Sequence, residues 1–239
     1  MFIHFDAERA SDSPLVERVW SCHSEGGGPF IAVASSHWEF VVSRVAGEVT
    51  FTLHGPETRP REVFCPPDGE WFAIRFKAGS FMPGLPVSRL INGNDVNLPG
   101  AFRGRVKLNG SAFEIPNFQN AEVFVDRLVR RGWLVRSEAV VAALAGDQTA
   151  LLARTAQRHF LHATGMSHRA LRQIDRARRA TLLLRDGLPP SEVASEVGYF
   201  DQAHLTRALR KLMGLTPGSI VREERQLSFL YKTEDPLAA

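Results

Sequence analysis

The stretch "EVASEVGYFDQAHLTRALRKLMGLTP", Glu192 to Pro217, reads as two short helices folded around one glycine. Pro189 and Pro190 stand where the first helix begins, a place where a missing N–H does least harm, and Val193, Ala194 and Val197 give it one apolar face. Gly198 ends it, because a tight turn between crossed helices asks for positive φ, and Asp201 is a good N-cap for the helix that follows. That second helix buries Leu205, Leu209 and Leu212 and stops at Gly214. Gln202, Ala203, Thr206, Arg207 and Arg210 are left on its outer face. The form is a helix-turn-helix, whose second helix can enter a DNA major groove with its N-terminal half on base edges.

A second copy lies upstream. Shifted by 49 residues, Val193, Ala194, Thr206, Arg207, Leu209 and Gly214 fall without a gap on Leu144, Ala145, Gln157, Arg158, Phe160 and Gly165. Thr149 replaces the turn glycine and Leu152 the capping aspartate, so the first unit is expected to be less regular at its turn. Between the units, "SHRALRQIDRARRATLLLRDG" predicts a helix from about His168 to Arg185 closed by Gly187, with Arg172, Arg176, Arg178 and Arg179 as its charge. At ~1.5 Å rise per residue such a helix is about 27 Å long, and successive major-groove faces lie about 34 Å apart. One chain could therefore place two helices in adjacent grooves.

Charge follows the same division. The whole chain of 239 residues is formally only +3, with 44% apolar and 23% charged residues. Residues 1–120 carry 11 Lys/Arg against 13 Asp/Glu, whereas residues 150–222 carry 12 against 5, as expected of a surface that meets a polyanion. Two cysteines, Cys22 and Cys65, are too few for a disulfide framework, and no run approaches the ~20 apolar residues of a membrane span. A cytoplasmic protein is the expectation.

From Phe30 to Leu108 the pattern is β. Runs such as "WEFVVSRV", "EVTFTLHG" and "WFAIRFKAG" alternate in character and are punctuated by "GGGP", "PPDGE" and "PGLP", which suggests a barrel or sandwich. After about Asn117 the period becomes helical, with Phe118, Ala121, Val125, Leu128 and Val129 forming a stripe that needs a partner. The expected fold class is α+β, in four parts: a β-rich region 1–115, a connecting or dimerisation helix in 116–136, a double helix-turn-helix domain 137–226 and a tail 227–239.

The most specific of these residues, "VASEVGYFDQAHLTRALRKLMGLTP" with "RTAQRHFLHATGMS" upstream, resemble the AraC/XylS-type transcription regulators over roughly Ser137 to Glu223. The resemblance implies base-facing positions at Arg154, Gln157 and Arg158 in the first unit and at Gln202, Ala203, Thr206 and Arg207 in the second. Arg210 joins them from its place on the outer face. Ala203 departs from a position that is polar in some relatives, and Ala156 stands where leucine is common. The chemistry suits bases: Arg pairs with guanine, Gln with adenine, and Thr or Ala methyls touch thymine. The N-terminal half is similar to the cupin-like sensor regions of the family, which implies a small-molecule effector pocket with Trp20, Trp38, Trp71, Phe72, Arg75 and Phe76 as candidate lining. Double-stranded DNA is the implied partner, with RNA polymerase for an activator and a second copy for a dimer.

Two alternatives stand beside that reading. His37, Glu39 and His54 could suggest the metal site of a cupin-like enzyme with secondary DNA binding, but no close His-x-His pair with a following carboxylate and third histidine is present. The other alternative is a regulator whose N-terminal region only mediates protein interaction. No phosphate-binding glycine loop or nucleophile elbow occurs, so no enzyme, cofactor or metal is expected.

Overall fold

The computed structural model describes residues 2–93, 95–98 and 104–222, so the expected tail 227–239 and residues 223–226 lie outside it. Residues 3–114 supply eleven strands: β1 (Ile3–Ala10), β2 (Val16–Ser24), β3 (Gly28–Ala32), β4 (Glu39–Val45), β5 (Glu48–His54), β6 (Arg61–Cys65), β7 (Glu70–Phe76), β8 (Ser80–Phe81), β9 (Val96–Leu98), β10 (Arg105–Leu108) and β11 (Ser111–Glu114). Then come α1 (Ala121–Arg130), β12 (Val135–Arg136) and six further helices: α2 (Glu138–Leu144), α3 (Arg154–Thr164), α4 (His168–Arg185), α5 (Pro190–Glu196), α6 (Gln202–Met213) and α7 (Pro217–Arg222). The chain is α+β, with a β-rich N-terminal region and a helical C-terminal one.

An antiparallel sheet in the order β1-β2-β7-β4-β5-β9 forms the body of the first region, and a separate β3–β6 ribbon folds over one of its faces. Strand alternation assigns the two faces. On β7, Phe72, Ile74 and Phe76 turn toward the main core, whereas Trp71 and Ala73 turn toward the ribbon. Phe40, Phe51 and Phe76 are fully buried in the main core, where Trp38 stacks on Phe76 with ring centroids 4.1 Å apart.

Helix α1 is shorter than the sequence stripe suggested, and its apolar face is used within the chain. Phe124 sits edge-on to Phe40 and Phe51, at 5.6 and 5.8 Å, and Val125 is fully buried. Arg9 clamps the outside of the helix through Glu122, 2.6 Å away. The stripe that seemed to need a partner finds one in the β-sheet, and the exposed Val123 and Val129 face away from it.

Below the sheet, the segment Val87–Arg89 forms a single 3-10 turn that carries Leu90 against the β5–β6 connection. A Cβ on Gly55 would lie 2.0 Å from the Leu90 carbonyl oxygen, so only glycine permits that approach.

Candidate nucleic-acid interface

The second helix pair forms as its residues dictate. Gly198 takes φ of 75° in the turn, and the Asp201 side chain accepts a hydrogen bond of 2.6 Å from the His204 N–H, capping α6. Leu205, Leu209 and Met213 are fully buried, which leaves the opposite face to Ala203, Arg207 and Arg210, all exposed. Gln202 is exposed at the first turn. Thr206 is half-buried and donates its hydroxyl to the Gln202 carbonyl at 2.8 Å, so what it offers outward is its methyl group.

In the first pair, α3 buries Phe160 and Ala163 and exposes Arg154, Gln157 and Arg158. Gln157 donates from Nε2 to the Leu151 carbonyl at 3.0 Å and so closes the turn before its own helix. Arg154 and Arg158 share the outward face with the half-exposed Leu161. Ala153 is the N-cap and provides no side-chain bond.

Helix α4 spans His168–Arg185, as its sequence predicts, with Ser167 capping it at the Ala170 N–H. Its arginines divide by direction. Arg169, Arg172 and Arg176 line a groove of about 600 Å³ with Arg207 and Lys211 of α6, and no carboxylate lines that groove. Five cations around one concave surface suit phosphate oxygens. Arg176 also lies over the Tyr199 ring and donates to the Gly198 carbonyl at 3.2 Å, bracing the turn of the second unit.

The other two arginines named as the charge of this helix, Arg178 and Arg179, lie outside that groove. Arg178 packs against the β-region, 3.4 Å from His37 Nδ1, and burial pushes its guanidinium down to about 10. Asp175 on the same helix accepts from Ser36 at 3.2 Å, and its burial raises the carboxyl above the usual range. On the facing side His37 Nε2 lies 3.0 Å from Glu17. Burial alone would raise the Glu17 carboxyl, but His37, Arg75 and Arg18 reverse that and hold it at about 2. Arg179 instead pairs with Glu196 of α5 at 3.0 Å.

Between the sheet and the β3–β6 ribbon lies a cavity of about 330 Å³. Of the expected lining, Trp20 and Trp71 border it. Trp38, Phe72 and Phe76 belong to the core on the opposite face, and Arg75 is buried where Glu39 accepts from its Nε at 2.6 Å. Sequence reasoning missed Phe5, Phe30, Glu57 and Arg61, which also line it. The signal available was slight: Phe30 follows the turn-rich "GGGP" and Glu57 stands in the turn "HGPE" before β6. The three groups considered for a metal each have another partner: His37 meets Glu17, Glu39 meets Arg75, and His54 lies 3.3 Å from Asp95. Among the described residues no group of three or more His, Cys, Asp or Glu is placed to hold a metal ion, and Cys22 and Cys65 are buried and not joined in a disulfide. No helix there is long and apolar enough to cross a membrane.

The C-terminal ends of α3 and α6 dock on β-region segments that adjoin the lining of this cavity. The Leu212 carbonyl of α6 accepts from the Ala34 N–H at 2.9 Å, and Gly214 rests on Pro60. Gly165, at the end of α3, rests on Val87 and Ile91, next to the Leu90 that fills the space over Gly55. Ser35, Gly55 and Arg61, neighbours of these contact points, are part of the lining.

A family model described as a helix-turn-helix domain matches residues 146–223, from the turn after α2 through α7. A search of curated proteins finds no match. Among solved structures, the apo form of a ToxT variant from Vibrio cholerae is similar at 9% identity, covering 90% of this chain and 99% of that one with a TM-score of 0.37.

Proposed function

We propose that this chain, which carries an AraC-type helix-turn-helix domain over residues 146–223, is a DNA-binding transcription regulator whose grip on DNA responds to a small molecule in the β-region. The DNA-binding part follows from the domain. In the sequence-specific reading, α3 presents Arg154, Gln157 and Arg158 and α6 presents Gln202, Ala203, Thr206, Arg207 and Arg210, while the cations of the α4–α6 groove take the phosphates.

One observation carries the effector reading: the end of α6 rests on Ala34 and Pro60, each next to a residue of the cavity's walls, and the end of α3 rests on Val87 and Ile91, in the segment whose Leu90 packs on the wall residue Gly55. A ligand that changes the spacing of those walls acts on both helices at once, and only its differential affinity for the two arrangements moves the equilibrium. The test begins with selection of bound sequences from random DNA by the full chain. An enriched site with two separated half-sites, protected on one side of the duplex, is the expected result. Failure to enrich any sequence at low salt would overturn specificity. Small molecules that raise the melting temperature are then added to the selected complex, and unchanged affinity with every one of them would overturn effector control.

A further inference from the structure

We infer that the cavity takes a small organic cation, an ammonium group carried on an aromatic or alkyl body. This assignment deepens the effector reading above and rests on it for its regulatory meaning, although the binding itself is independent of DNA.

The argument starts from Glu57. Its residue is 9% exposed, it lines the cavity, and Oε1 already accepts from Arg61 Nε at 2.9 Å. Oε2 is buried and has no hydrogen-bond partner. A carboxylate oxygen without a donor in such a place is costly, and a charged donor satisfies it better than a neutral one. The other charged groups at the cavity are engaged: Glu39 with Arg75, His37 with Glu17, His54 with Asp95. A polyhydroxylated ligand would find them occupied, and a carboxylate ligand would face Glu39 and Glu57, with the lining's arginine, Arg61, already turned to Glu57 through Nε.

The remaining walls supply what an ammonium prefers. Phe5, Trp20, Phe30 and Trp71 surround the space, and aromatic faces attract cations electrostatically while also burying an apolar body. The volume, about 330 Å³, lies at the lower end of the range for small-ligand pockets and excludes a bulky occupant. No lysine lines it.

The experiment titrates the full chain with three matched probes: 2-phenylethylammonium, 2-phenylethanol and 3-phenylpropionate, by calorimetry and by thermal unfolding. The ammonium compound is expected to bind at least about tenfold more tightly than the alcohol, with no saturable binding of the carboxylate. Glu57→Gln, checked for fold by circular dichroism, is expected to lose about tenfold or more of that affinity. Glu57→Asp, which keeps the charge at a shorter reach, serves if the first variant does not fold, and a measurable loss is expected there too. Equal binding of alcohol or carboxylate, undiminished binding in the folded Glu57 variant, or no binding of the ammonium probe at about 10 mM overturns the assignment. DNA selection with the unliganded chain separates the two readings. A chain that selects DNA but ignores ammonium compounds loses only the ligand class, whereas one that binds them and selects no DNA keeps the site and loses the regulator.

Discussion

Between α5 and α6 the chain turns in five residues, 197–201, whereas between α2 and α3 it takes nine, 145–153, including a 3-10 turn at Gln148–Leu151. The shorter turn is held by its own residues: Gly198 supplies the positive φ, Asp201 the cap, and Arg176 a bond from the neighbouring helix. The longer one has Ala153 at the cap position, leaves Leu152 76% exposed, and borrows Gln157 to close. Support from the β-region differs in the same sense. Phe81 lies edge-on to both His159 and His162 of α3, and Gly165 packs on Val87 and Ile91, so that helix is braced along two turns and at its end. Helix α6 meets the β-region around Leu212 and Gly214 at its C-terminal end. One unit is stabilised locally and the other by its tertiary neighbours.

The largest effects that would break this comparison are in the two small cores. Phe160→Ala should cost ~3–5 kcal/mol and Leu209→Ala ~2–5 kcal/mol, since each empties a closed site. What distinguishes them is where DNA protection is lost. In footprinting on the selected site, Phe160→Ala should clear one half-site and Leu209→Ala the other. If either variant clears both halves while remaining folded, the two units do not act separately.

Next is the attachment of α4 to the β-region through Glu17. Its folded pKa is depressed to about 2 from 4.5, so the stabilisation is complete above the unfolded value and is lost as pH falls from about 4.5 toward 2. Unfolding midpoints across that window should drop more steeply for the native chain than for Glu17→Gln. Parallel curves would show that this carboxylate does not hold the helix.

Recognition itself sets the third scale. Arg158→Ala and Arg207→Ala should each cost about 1–3 kcal/mol per lost base contact and relax preference at base pairs in different half-sites. Arg207 also lines the cationic groove, so a uniform loss across sequences for that variant alone would reassign it to phosphate. If both variants relax the same base pair, the two helices do not read successive grooves.

Much of this arrangement is legible in the chain because it depends on local spacing. The 49-residue frame matches Phe160 with Leu209 and Gly165 with Gly214, and each pair occupies the same place in its unit. The frame slips at the first helix. Ala194 is buried in α5, but Ala145, set opposite it, caps the end of α2 and is exposed. The Ser137–Glu138 start, with Ser137 accepting from the Val140 N–H, is the local signal that fixes α2 instead. In the β-region, alternation sorts Trp71 from Phe72 and Phe76 but does not say which face the ribbon covers. That choice is made by α1, whose Phe124 fills one side and leaves the other hollow. Arg178 is illegible for a similar reason: six arginines crowd α4, and only the packed β-region selects the one that is buried.

Capping gives a smaller and cleaner comparison. Asp201→Ala should destabilise by ~0.5–2 kcal/mol, because the His204 N–H loses its acceptor. Ala153 already has extended backbone, φ −78° and ψ 138°, the geometry an N-cap aspartate uses, so Ala153→Asp should stabilise the first unit by a similar ~0.5–2 kcal/mol. Urea denaturation reads both. A loss on Ala153→Asp would mean that the irregular turn is already satisfied in another way.

The smallest effect separates two neighbours on α4. Arg179 and Glu196 form their bond with side chains 53% and 55% exposed, where solvent screens the attraction and ordering two long side chains offsets much of it. Arg179→Ala should therefore change stability by no more than about 0.5 kcal/mol, and added salt should shrink that difference further. Arg178, one residue earlier, is enclosed between α4 and the β-region beside His37, so Arg178→Ala should cost more, because the buried Asp175 loses a cation that counters its burial. Denaturation of the two variants side by side tests this assignment of α4, one face to the second helix pair and one to the cavity-bearing region. Equal costs for Arg178→Ala and Arg179→Ala would mean that the buried contact contributes no more than the exposed one, and the coupling of α4 to the β-region would then have to run through its apolar residues alone.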